Sequence, residues 1–267
     1  VPVMTSSVTG ATSAYIVPYK GNRVSLYDGS SAWLSYSSAE MSLSLSGYTA
    51  SKNYDIFLYN NAGTATPESL VWTNDTTRAT ALAYQDGVLV KSGASTRKYI
   101  GTIRINSTGG QCNWILGASG AGGTAGDLGV WNYYNRVPFV STVLNSTDSW
   151  TQGNTGVRAA NSSNTNRTSF VIGVSEDPFS ATYAALNSTA GTGGGTGVGL
   201  DSITTMSGIH GYGQGYGLSA AFYEAVISPG YHYLQALETN DYGTANWLGD
   251  NAGYVGVQSG LIVRGTY

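Results

Sequence analysis

The stretch "LSAAFYEAVISPGYHYLQALE", residues 218–238, decides the fold class of this chain. Residues 218–227 and 231–238 alternate large apolar side chains with small or polar ones, which is the period of two expected of a strand with one buried face. Pro229-Gly230 stands between them and is typical of a turn. The stretch therefore predicts two strands separated by a turn.

The same alternation recurs along the chain and predicts further strands at 22–27, 40–45, 54–59, 87–91, 98–105, 129–134, 137–144 and 167–174. Helix-like patterns occur only at 76–83 (TTRATALA) and 180–187 (SATYAALN), and both are short. Many short strands at regular turn spacing favour a sandwich or a barrel. We therefore predict an all-β protein, built from an N-terminal β-module and a jelly-roll-like β-sandwich.

Shifts in composition suggest how the chain is divided. Residues 1–13 are small and polar, which is typical of a linker or the end of a stalk. The glycine-rich stretch 117–129 is the sharpest shift, and it separates an N-terminal β-module at 14–110 from a C-terminal sandwich at 111–267. A second glycine-rich stretch, 188–199, is expected to be a flexible loop between strands.

The overall composition excludes several classes of protein. Charged residues make up 10% of the chain and its net charge is −3, so no basic surface for nucleic acid is expected. No apolar run approaches the length of a membrane span, so no membrane insertion is expected. The single cysteine, Cys112, rules out an intramolecular disulfide and a cysteine-based zinc cluster, and it is predicted to be a buried free thiol.

Motifs for chemistry are weak. None of the glycine-rich stretches contains the lysine of a phosphate-binding loop, so no cofactor is predicted. His232 has no identifiable triad partner, so a structural or surface role is favoured over a catalytic one. Glu176-Asp177 precedes Pro178, which favours a solvated turn. We predict no catalytic and no metal-binding residue. Four other carboxylates could still converge in the fold, as a sugar-cleaving site would require: Asp127, Asp201, Glu224 and Glu238.

The tyrosines give the best candidates for binding. "GIHGYGQGYG", residues 208–217, is interpreted as a loop between strands in which glycines leave the aromatic side chains dominant. It could face a ligand or lie along a subunit axis. Tyrosine offers a large rigid contact area and a hydroxyl, which suits recognition of sugars or proteins. The candidate ligand-binding residues are His210, Tyr212, Tyr216, Tyr231 and Tyr233.

The order and spacing of several blocks resemble a family of bacteriophage virion proteins, of the tail-fibre and head-fibre type. The blocks are "YIVPYKGNRVSLYDGSSAW" (15–33), "YIGTIRINSTGGQCNWILGASGAGGTAGDLGVWNYYNRV" (99–137), "STDSWT" (146–151), "VRAANSSNTNRTSFVIGVSED" (157–177), "GVGLDSIT" (197–204), "PGYHYLQALE" (229–238) and "SGLIVRG" (259–265). The resemblance implies a non-enzymatic homotrimer on the virion surface. Its implied partners are other virion proteins and a host surface polysaccharide or receptor.

Three other functions remain open at this point. A capsid decoration protein would share the resemblance but bind no ligand. A polysaccharide depolymerase would need two carboxylates facing each other across a groove. A secreted lectin of a cellular organism would carry sugars on the N-x-S/T sequons of the chain.

Overall fold

The computed structural model describes residues 6–18, 20–153 and 156–267. Residues 1–5 of the predicted linker lie outside the described residues. The described part of the chain contains strands and one 3-10 turn at Ala160–Ser162, but no α-helix. The all-β class predicted from the sequence is confirmed.

The strands are numbered in chain order. The N-terminal half contains β1 (Val8–Ala11), β2 (Ser13–Ile16), β3 (Arg23–Tyr27), β4 (Trp33–Ser37), β5 (Met41–Ser44), β6 (Asn53–Asn61), β7 (Thr64–Val71), β8 (Leu82–Gln85), β9 (Val88–Lys91) and β10 (Ala94–Arg104). The remainder contains β11 (Cys112–Gly120), β12 (Thr124–Leu128), β13 (Val130–Asn132), β14 (Pro138–Asn145), β15 (Ser149–Gln152), β16 (Arg158–Ala159), β17 (Arg167–Ile172), β18 (Pro178–Asn187), β19 (Gly193–Leu200), β20 (Ser207–Gln214), β21 (Gly217–Val226), β22 (Gly230–Asn240), β23 (Ala245–Leu248) and β24 (Ser259–Thr266).

The C-terminal part forms a sandwich whose two layers are joined at both edges. Its hydrogen-bonded strands follow the order β18-β21-β20-β19-β22-β17-β12-β11-β14-β24, and β24 pairs again with β18. The layers meet where β11 turns from β12 to β14, and where β20 turns from β19 to β21. Because the path closes on itself, these strands leave few exposed sheet edges.

The core of the sandwich lies between the two layers. Alternate residues of β18 point inward, namely Phe179, Ala181, Tyr183 and Ala185, and all of them are buried. Five of the six tryptophans are buried in the protein, and Trp33 is half-buried. Cys112 is a buried free thiol, as predicted.

The N-terminal part forms a second sheet in the order β7-β6-β10-β9-β8, flanked by the small pairs β2–β5 and β3–β4. Two strands connect this module to the sandwich. β13 follows the predicted boundary in sequence but pairs with β10 of the module, and β1 lies in the predicted linker but pairs with β11 of the sandwich. The glycine-rich stretch 117–129 contains the end of β11 and all of β12.

One arginine ties the module to the sandwich. The Arg78 Nε atom donates to the Asp55 Oδ2 atom at 2.7 Å, and an Arg78 Nη2 atom donates to the carbonyl of Gly173 after β17. Its guanidinium carbon also lies 4.4 Å from the centre of the Trp72 ring. The junction is thus held by a hydrogen bond from the ion-paired Arg78 to the sandwich, in addition to strand pairing.

The strands predicted from alternation are confirmed, but four other predictions are wrong. Residues 180–187 belong to β18 rather than a helix, and 76–83 form bends that lead into β8. The expected flexible loop at 188–199 contains most of the buried strand β19. The expected loop at 208–217 is strand β20 with the turn into β21. In both glycine-rich strands, residues of adjacent strands pack so closely against the backbone that they leave no room for a side chain.

Candidate functional site

The hairpin of β20 and β21 carries three of the five predicted binding residues. His210 and Tyr212 are exposed on β20, and Tyr216 lies in the turn after it. Tyr212 is 54% exposed and Tyr216 is 79% exposed. Gly215 adopts a φ of +64° at this turn, and its N–H donates to the carbonyl of Thr192 at 3.0 Å. The turn is therefore anchored while its tyrosine points into solvent.

Tyr212 is held in place by a carboxylate from another strand connection. Its hydroxyl donates to the Asp241 Oδ2 atom at 2.6 Å. This hydrogen bond to Asp241 raises the pKa of Tyr212, because it stabilises the protonated phenol. The ring lies over Gly193, where any side chain would collide with it. The glycine of β19 thus allows the tyrosine to lie flat against the sheet.

A third tyrosine joins this group from the connection between β22 and β23. The Gln214 Nε2 atom donates to the Tyr242 hydroxyl at 3.2 Å, and Tyr242 is 48% exposed. We call the group Tyr212, Gln214, Tyr216, Asp241 and Tyr242 the tyrosine end. It combines exposed aromatic rings with a carboxylate and an amide, which can accept and donate hydrogen bonds to a ligand.

Part of this group was missed by the sequence analysis. Gln214, Asp241 and Tyr242 were not among the candidate residues. The only local signal is the turn-like sequence Asp241-Tyr242-Gly243, which predicts an exposed connection.

The other two predicted residues lie elsewhere. Tyr231 and Tyr233 are half-buried on β22. The register places Tyr212 opposite Gly195, and Gly195 opposite Thr239. Tyr233 precedes Thr239 by six positions, which is about 20 Å along a strand. The structure therefore does not bring these two tyrosines to the tyrosine end.

Tyr231 instead lines a cleft of about 280 Å³ between the module and the sandwich. The guanidinium of Arg104 lies 4.0 Å from the centre of the Tyr231 ring and pairs with Asp75. Asp127 accepts a hydrogen bond from the Asn113 Nδ2 atom at 2.7 Å, and burial raises the pKa of this carboxyl. The charged groups of the cleft, Arg104 and Asp127, thus both have partners within the protein, and we call this cleft the seam.

The carboxylates that could have formed a catalytic pair have different surroundings. Asp127 lies in the seam, and Glu224 is exposed on β21. Asp201 lies 2.7 Å from the Nδ1 atom of His232, and Glu238 is paired with Arg158. Asp127, Asp201 and Glu238 thus bond to different partners, and none of the four carboxylates is bonded to the same group as another in the described part of the chain.

His232 is engaged on both sides of its ring. Besides its contact with Asp201, its Nε2 atom lies 3.0 Å from the carbonyl oxygen of Ser228. The side chain is buried between β22 and the preceding turn. This arrangement supports the structural role favoured by the sequence.

The turn at Glu176-Asp177 is solvated, as predicted, with the two side chains 41% and 38% exposed, and Arg136 lies 3.6 Å from Glu176 and 2.7 Å from Asp177. Among the described residues no group of three or more histidine, cysteine, aspartate or glutamate side chains could hold a metal ion. Within the same residues, no helix has the length and apolar character needed to cross a membrane.

Comparisons with known proteins place few limits on function. No protein-family profile matches the chain, and no curated protein matches it. Among solved structures the chain is similar to the insecticidal delta-endotoxin Cry8Ea1 from Bacillus thuringiensis, with 8% identity and a TM-score of 0.28. The alignment covers 98% of this chain and 53% of that one, so the chain spans about half of the toxin's length.

Proposed function

We propose that this chain is a surface protein of a bacteriophage particle that adheres to host carbohydrate through the tyrosine end. The observation that carries this proposal is the exposure of three tyrosines, Tyr212, Tyr216 and Tyr242, around one carboxylate at a single end of the sandwich. The block resemblance described above supplies the virion context. The proposal includes no enzymatic step.

The chemistry of the tyrosine end suits a sugar. A tyrosine ring covers the C–H face of a sugar ring, while its hydroxyl contacts the sugar hydroxyls. Asp241 and Gln214 add an acceptor and a donor beside the rings. Since Tyr212 and Tyr242 already hydrogen-bond to Asp241 and Gln214, respectively, little side-chain freedom is lost when a ligand binds.

The site is open rather than enclosed, so a single contact is expected to be weak. The proposed homotrimer would compensate, because linked sites bind a repetitive polymer with an avidity far above that of one site. A capsular or cell-wall polysaccharide offers such repeats, and its recognition needs no deep pocket.

Binding of the purified chain to an array of bacterial surface polysaccharides tests the proposal. We expect Tyr212→Ala and Tyr216→Ala each to weaken binding about tenfold, corresponding to about 1.4 kcal/mol. Tyr84→Ala is the matched control, because Tyr84 is 68% exposed but lies in the N-terminal module. An equal loss in all three variants would contradict the assignment of the site.

The place of the protein in an intact particle tests the virion context separately. Antibody labelling at the tail tip in electron micrographs is the expected result. Labelling spread over the capsid, together with no binding to any polysaccharide of the array, would overturn the proposal in favour of a decoration role.

A further inference from the structure

One face of the sandwich is apolar and has no covering element within the described residues. It is the outward side of four neighbouring strands in the order β21, β18, β24 and β14, and we call it the β18 face. Leu218 is 67% exposed and Phe222 is 50% exposed. Other outward side chains of the face are apolar or small: Val140, Thr142, Leu144, Ser180, Thr182, Ala184, Leu186, Ala220, Val226 and Ile262. Contiguous exposed apolar surface of this kind marks an interaction site.

The face carries two opposite charges at the same level. Among the outward residues of these four strands only Glu224 and Arg264 are charged. Both are aligned with Ser180 of β18, Glu224 from β21 on one side and Arg264 from β24 on the other. In the described part of the chain neither side chain has an ion-pair partner. Both charges are thus available to a partner.

The β18 faces of two copies complement each other. A rotation axis that runs parallel to β18 in front of the face keeps each residue at its level along the strand. It moves β21 of one copy opposite β24 of the next copy. Glu224 then meets Arg264 of the second copy, and Phe222 meets Ile262, since Thr182 is aligned with both in one chain.

From this geometry we propose that a second copy of this chain docks on the β18 face, with Glu224 of one copy paired to Arg264 of the other. The register is the same for any number of copies around such an axis, a homotrimer included. The apolar residues supply the area, and the two charges fix the relative height of the copies. An anionic lipid surface fits this face less well, because its charges balance and it has no cluster of basic residues.

The test is the mass of the native chain in solution, by light scattering and sedimentation at concentrations from about 1 to 100 µM. We expect a multiple of 27.8 kDa. Glu224→Arg and Arg264→Glu are each expected to shift the mass towards the monomer, because like charges then meet across the contact. The double variant Glu224→Arg/Arg264→Glu is expected to regain the native mass. Tyr84→Arg, a charge added on the module, is the matched control and should leave the mass unchanged.

A monomer at every concentration would overturn the proposal. A native multimer whose mass is unaffected by both single changes would overturn it as well, as would a double variant that stays monomeric. Far-ultraviolet circular dichroism of each variant separates loss of contact from loss of fold. Self-association and carbohydrate binding can fail separately. Tyr216→Ala is expected to weaken carbohydrate binding without changing the mass.

Discussion

At the scale of single residues, Glu238 shows how the sandwich tolerates a charge in its core. Its side chain is completely buried, its Oε2 atom accepts from the Trp150 indole at 2.8 Å, and its Oε1 atom accepts from Arg158 at 2.7 Å. Burial is the largest influence on this carboxyl and raises its pKa above the ordinary 4.5, although the two donors act in the opposite direction. The cost of removing the charge from water therefore exceeds what the donors return.

The upward shift of this pKa predicts how the stability of the chain changes with pH. As the pH rises above about 4.5, Glu238 ionises first in the unfolded chain, so the unfolded state binds fewer protons and the free energy of unfolding falls. The free energy of unfolding of the native chain minus that of Glu238→Gln should therefore be larger near pH 4 than near pH 7, as measured by urea unfolding. Glu40→Gln removes the same charge from an exposed position and serves as the control for net charge. A difference that grows with pH would contradict a raised pKa of Glu238.

At the scale of elements, β19 is the strand that local sequence describes least well. Seven of its eight residues are buried, although five of the eight are glycine. A Cβ atom on Gly194 would lie 2.6 Å from the Trp247 Cζ2 atom and 3.1 Å from the Asn187 Nδ2 atom. The glycine is therefore required by a tryptophan that packs directly against the backbone.

Gly194→Ala is expected to destabilise the chain by about 1–3 kcal/mol, the usual cost of overpacking a tight core. Gly21→Ala is the matched control, because a Cβ atom at Gly21 would meet nothing within 4 Å. Urea unfolding followed by tryptophan fluorescence measures both. Equal midpoints for Gly194→Ala and the native chain would show that Trp247 can move aside.

The strands that could be predicted are those with a clear alternation of large apolar and polar side chains, such as 218–227 and 231–238. β18 has the same alternation, but its inward residues include Ala181 and Ala185, and alanine is also the best helix former. Pairing with β21 and β24 decides between the two structures, and these partners are distant in sequence. Local pattern therefore fails where small residues carry the packing.

At the scale of the whole molecule, the tyrosine end could be predicted only in part. Tyr212 and Tyr216 stand out among the glycines of 208–217, which leave few other side chains exposed. The hydrogen bond from Tyr212 to Asp241 joins residues 29 positions apart and depends on β19 pairing with both β20 and β22. That pairing is a property of the closed sandwich, so the sequence predicted two of the three rings, but neither Tyr242 nor the groups that orient the rings.

The module also depends on the rest of the chain. β13 completes its sheet, and Trp131 of that strand is buried in a cluster with Phe57, Leu89 and Tyr99. Val171 of β17 belongs to the same cluster. A division of the chain between residues 110 and 111 would separate both Trp131 and Val171 from the module.

A fragment of residues 14–110 is therefore expected not to fold by itself. Without Trp131 the ring of Tyr99, which is fully buried in the chain, would face water together with the uncovered side of β10. Loss of one large buried aromatic residue commonly costs about 3–5 kcal/mol, a large share of the stability of a small domain. Near-ultraviolet circular dichroism should show no fixed tyrosine or tryptophan environment, and urea should produce no cooperative transition, whereas the full chain measured in the same buffer should give both. A sigmoidal transition of the fragment would instead establish the module as an independent folding unit, for which β13 is dispensable.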